Sequence, residues 1–167
     1  MKPRYDQSHR LGEGTMKHSL SSEYWMERAA RKFSFLQTEY GFDPPLSVPD
    51  REFDEAGAIW WRLKKKLTLT AYGEPREDYL NLIVIPYQPK SEPGSKAHVM
   101  SFSIEEVAER LDTTNDAEFA KRMRFVRGPI TARSLEVQLD RWAALLRIDC
   151  ESMLRGNMPD WDAFRYR

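Results

Sequence analysis

Ala58-Ile-Trp-Trp-Arg-Leu-Lys64, followed by Leu67-Thr-Leu-Thr-Ala-Tyr72 and then by Tyr79-Leu-Asn-Leu-Ile-Val-Ile85, is the stretch that decides the fold. These segments are β-branched, aromatic and leucine-rich, and they are separated only by Lys64-Lys65-Lys66 and by Gly73-Glu74-Pro75-Arg76-Glu77-Asp78. Joins this short allow only antiparallel neighbours, so the three strands form a meander. Side chains alternate across a strand, which sends the consecutive Trp60 and Trp61 to opposite faces. Ile59, Trp61, Leu63, Leu67, Leu69, Ala71, Leu80, Leu82 and Val84 then share the core face. Trp60, Arg62, Thr68, Thr70, Tyr72, Tyr79, Asn81 and Ile83 share the other.

Helical patterns lie on both sides of the meander. Ser21 or Ser22 can cap a helix whose apolar positions Trp25, Ala29, Phe33, Leu36 and Tyr40 recur at three- and four-residue spacing, and Gly41 supplies its left-handed stop. After Asp43-Pro44-Pro45 the segment from Leu46 to Phe53 holds a short edge strand, overlapping the acidic run Asp50, Glu52, Asp54 and Glu55. Pro86 to Lys96 is a proline-rich loop, and Ala97 to Phe102 adds a last strand. Ser103-Ile-Glu-Glu106 has the spacing of a capping box and opens a short helix through Leu111. A second short helix is expected from Asp116 to Phe125. A long one spans Ala132 to Leu154 with the stripe Leu135, Leu139, Trp142, Leu146, Cys150 and Met153, and Gly156 ends it. The fold class is α+β: an antiparallel three- to five-stranded meander with N- and C-terminal helices packed on one face. Residues 1–20 read as a flexible N-terminal tail and residues 21–167 as a single domain.

Composition excludes several classes of function. At 167 residues the chain can bury a core without disulfides or metal. Its 26 basic and 26 acidic side chains cancel, so no global field draws nucleic acid or an anionic membrane. The lone Cys150 cannot form an internal bridge and suits a reducing compartment, and no apolar stretch is long enough for a membrane span. A cytoplasmic protein is expected.

A search for chemistry returns little. His9, His18 and His98 lack other ligand types at metal spacing, and Gly12-Glu13-Gly14 precedes no fingerprint helix. Carboxylates crowd at Asp50 to Glu55 and at Glu74 to Asp78, but both groups fall in loops, where solubility and turn formation account for them. His98 could serve Cys150 as a base only if a strand met a buried helix stripe. No enzyme, cofactor or metal is expected. The outer sheet face is the remaining candidate, because Trp, Tyr and Arg are enriched at the centres of protein interfaces. The candidate partner-binding residues are Trp60, Arg62, Thr70, Tyr72, Tyr79, Asn81, Glu74, Glu77 and Asp78. Its expected occupant is a protein partner, with a homodimer as one alternative and, as another, the chain's own N-terminal tail or Pro86 to Lys96 loop folded across the face. Stacking of single-stranded nucleic acid on the same aromatics is disfavoured, because the lysines cluster at one turn, where they also guard against edge pairing.

Ala29-Ala-Arg-Lys-Phe-Ser-Phe-Leu-Gln-Thr-Glu-Tyr-Gly-Phe42 resembles the opening helix of a group of small bacterial α/β proteins of largely uncharacterised function. Some of these are immunity proteins of polymorphic or contact-dependent toxin systems. The close, Ser152-Met-Leu-Arg-Gly-Asn157 with Trp161 and Phe164, is similar to theirs, as is the element order from about Ser21 to Phe164. The resemblance implies an inhibitor that binds a cognate toxin through a preformed surface, and it supplies no catalytic residues. The N-terminal tail, the region from Asp112 to Ile130 and the Trp60-Trp61 pair depart from the group's pattern.

Overall fold

The computed structural model describes residues 20–49, 56–75, 78–88, 100–111, 116–126 and 128–165. The meander is realised as an antiparallel sheet of five strands in sequence order, β1 (Leu46–Pro49), β2 (Gly57–Leu63), β3 (Leu67–Glu74), β4 (Tyr79–Pro86) and β5 (Phe102–Ser103). The turn between β2 and β3 is tight. Lys66 N–H donates to the Leu63 carbonyl at 3.0 Å, and Lys65 takes the left-handed conformation at φ 55°. Expectations that fall on residues 1–19, 50–55, 76, 77, 89–99, 112–115 and 127 lie outside the described residues. They include most of the tail, the acidic run, Glu77, His98 and the start of the last strand.

Two rows of paired side chains build the inner face. Trp61 pairs with Leu69, Leu69 with Val84 and Val84 with Phe102, while Ile59 pairs with Ala71 and Ala71 with Leu82. All of these are buried, and Trp61 is 0% exposed. Burying an indole of roughly 200 Å² contributes on the order of 5 kcal/mol. Phe33 meets the Trp61 ring edge-on at 5.2 Å between centroids.

The N-terminal helix is capped as expected, with the Ser21 hydroxyl accepting the Tyr24 N–H at 3.2 Å. It does not run unbroken to Tyr40, but divides into α1 (Ser22–Lys32) and α2 (Phe35–Tyr40). The break has a packing reason. Residues two apart do not face each other on a straight helix, yet Phe33 and Phe35 are both buried, and the bend at Phe33-Ser34 lets both rings reach the core. Gly41, at φ 73°, ends α2, and the Phe42 N–H returns to the Leu36 carbonyl.

On the C-terminal side, α3 (Ile104–Leu111) opens on the reciprocal capping box, with Glu106 N–H donating to Ser103 Oγ at 3.1 Å and Ser103 N–H donating to a Glu106 carboxylate oxygen at 2.9 Å. The helix α4 (Ala117–Arg122), capped by Asp116, is shorter than its pattern. The expected long helix is also interrupted. It comprises α5 (Ala132–Ala144), a π-helical turn over Leu145–Asp149 and α6 (Glu151–Leu154). The turn inserts one residue into the helical register, so Leu145 and Leu154 join Leu146, Cys150 and Met153 inside the core. A last helix, α7 (Trp161–Arg165), stacks Trp161 on Phe102 at 5.5 Å and sets Phe164 against both rings. The helices therefore lie over one face of the sheet, with α1 against β2 and α5, and α3 against β4 and β5.

Candidate protein-binding face

Strand register fixes the outer face row by row, because directly paired residues point the same way. One row reads Leu46, Trp60, Thr70, Ile83 and Ser103 across the five strands. The next, toward the Glu74 end, reads Val48, Ala58, Tyr72 and Asn81. Glu74 and Tyr79 pair beyond it, while Arg62, Thr68 and Ile85 form the row at the opposite end. The face is therefore apolar and hydroxyl-bearing at its centre, basic where Arg62 leads into the Lys64-Lys65 turn, and acidic at Glu74.

Seven of the nine candidate residues meet on this face: Trp60, Arg62, Thr70, Tyr72, Tyr79, Asn81 and Glu74. Glu77 lies outside the described residues. Asp78 sits in the turn at φ 54°, and its carboxylate accepts the Ile130 N–H at 3.2 Å, which ties the turn to the segment before α5. Its negative charge is thus directed toward the helical layer.

Trp60 is partly exposed between Leu46 and Thr70. Beside it the small Ala58 leaves a shallow groove of about 520 Å³, walled by Val48, Tyr72, Gly73, Glu74 and Tyr79. The Gly73 backbone lines the groove, and its other side, toward the core face with Leu80, admits no side chain: a methyl group there would stand 2.3 Å from a Leu80 side-chain carbon and 2.6 Å from the Tyr79 carbonyl oxygen. The Tyr72 and Tyr79 hydroxyls hydrogen-bond at 2.5 Å, and their rings meet at a steep angle. That bond, aided by partial burial, holds the Tyr79 phenol above its ordinary pKa. Leu46 and Val48 are 56% and 53% exposed, and with them the apolar centre reaches the edge of the sheet. Sequence reading did not place these two among the candidate residues. The alternation Leu46-Ser47-Val48 was the available signal, but its face depends on the register with β2.

The face offers rigid aromatic rings and aliphatic side chains, and among the described residues no group of His, Cys, Asp and Glu could hold a metal ion. Cys150 is fully buried, and burial raises its thiol pKa above the ordinary value. Among the described residues no helix is long and apolar enough to cross a membrane. Comparison with family models, curated proteins and solved structures gave no match.

Proposed function

We propose that the chain is a non-catalytic binding protein, an immunity-type inhibitor that neutralises a partner toxin by docking its outer sheet face against it. The observation that carries this reading is the set of partly exposed aromatic side chains, Trp60, Tyr72 and Tyr79, held in fixed register on one face of the sheet. A face already ordered by its ladder loses little conformational freedom on binding, which favours tight stoichiometric inhibition. The partner is a folded protein whose contact surface is apolar at its centre, acidic opposite Arg62 and Lys64, and basic opposite Glu74.

The direct experiment is to co-purify the chain with the product of the gene adjacent to its own and to titrate the two by calorimetry. An equimolar complex is expected, weakened about a hundredfold or more by Trp60→Ala with Tyr72→Ala, as for anchors at an interface centre. Absence of a complex, or a complex indifferent to these substitutions, would refute the reading. Single-stranded nucleic acid should not be retained at physiological salt, whereas a nucleic-acid binder would show a steep salt dependence.

A further inference from the structure

The outer face is complementary to itself, and we infer that two copies of the chain pair through it about a two-fold axis lying in the interface and running across the strands. Such an axis reverses strand direction while laying each strand over its own counterpart. If it passes between the Trp60 row and the Ala58 row, every residue of one row meets its neighbouring row in the second copy.

Size and charge both match under that operation. Trp60 of one copy falls on Ala58 of the other, where the groove beside the indole leaves room for a second indole. Leu46 falls on Val48, and Ile85 on Tyr79. The charged ends exchange: Arg62 and the Lys64-Lys65 turn come over the end that carries Glu74. Among the described residues the ion pairs involve none of Arg62, Lys64, Lys65 and Glu74, so their charges remain available. An in-plane axis along the strands would instead put basic end on basic end. The sheet presents roughly 20 by 25 Å from strand spacing and rise, so two copies would cover about 1,000 Å² in total, the lower end of a specific interface.

This inference concerns the same face as the proposed function but does not depend on it. A dimer would store the face covered, and a heterologous partner would have to compete with the second copy. The test is sedimentation equilibrium of the full chain across a wide concentration range, with Arg62→Glu and Glu74→Arg made separately. Each variant alone places like charges together twice and should weaken self-association about tenfold or more. Their equimolar mixture restores both attractive contacts in the mixed dimer, so it should associate at least as well as the unaltered chain. That rescue also shows that both variants fold. A chain monomeric at every concentration overturns the inference while leaving the heterologous reading standing. A dimer whose variants are unaffected, or are not rescued by mixing, overturns the face or the axis.

Discussion

Trp60 and Trp61 are consecutive in the chain, yet they are separated by the full thickness of the sheet: Trp61 abuts Phe33 in the core, and Trp60 lies between Leu46 and Thr70 on the outer face. The same residue type thus occupies two opposite environments one position apart. The difference is set by the pleat.

Substitution should separate the two environments. Trp61→Ala is expected to destabilise the fold by about 3 to 5 kcal/mol through the cavity it leaves, and Trp60→Ala by about 1 kcal/mol or less. Urea denaturation of both variants measures the difference, and equal losses would contradict the facing assignment. Trp61→Phe should be much milder than Trp61→Ala, because the buried Trp61 Nε1 has no acceptor among the described residues and its removal offsets part of the lost volume.

Glu105 gives a pH signature. It is 8% exposed, and one carboxylate oxygen accepts the Trp142 indole N–H at 2.7 Å while the other has no partner among the described residues. Burial raises its pKa above 4.5, and hydrogen bonds from Trp142 and from nearby groups only partly oppose that. The folded chain therefore holds this proton more tightly than the unfolded one. Its contribution is complete below 4.5 and is lost as pH rises through the folded value. Glu105→Gln should gain stability relative to the unaltered chain across that window. Denaturation curves collected from acid to neutral pH would diverge; parallel curves would count against the buried carboxylate as the cause.

Arg122 and Asp149 form a two-bonded pair at 2.8 Å that ties α4 to the π turn, with the Asp149 side chain only 3% exposed. Arg122→Ala leaves that carboxylate buried without its counter-charge and should cost about 3 kcal/mol or more. Chemical denaturation reads the loss. Asp149→Asn together with Arg122→Ala should recover part of it, since no charge is then stranded.

Gly73→Ala tests the groove wall. The added methyl has no room against Leu80 and the Tyr79 carbonyl, so β3 and β4 must separate locally, at a cost of about 1 to 3 kcal/mol. The Tyr72–Tyr79 hydrogen bond should loosen with it. Amide exchange at Tyr79 and Asn81 should accelerate more than exchange at Ile83 and Ile85.

The sequence made the inner and outer faces of β2, β3 and β4 legible because a two-residue period leaves only one consistent burial of Trp61, Leu69 and Val84. The Ser103 to Glu106 cap was equally plain, since its spacing is the bond pattern itself. Interruptions inside helices were not legible. Phe33, Leu36 and Tyr40 fit one unbroken stripe, and only the need to bury Phe35 as well bends the chain at Ser34. The π turn escaped for the same reason: Leu145 and Leu146 both suit a core, and periodicity cannot show that both enter it. At the candidate site the anchors followed from alternation, whereas Leu46 and Val48 needed the β1 register, and the bond from Asp78 to Ile130 joins residues distant in sequence.

Because the five strands occur in sequence order, the outer-face residues Trp60, Arg62, Tyr72, Glu74 and Tyr79 are all supplied between Leu46 and Pro86, well before α3 to α7. A nascent chain leaving the ribosome therefore completes its outer sheet face while much of the opposite, oily side still awaits its covering helices. Until the C-terminal segment arrives, that uncovered side is the kind of apolar surface through which incomplete chains associate.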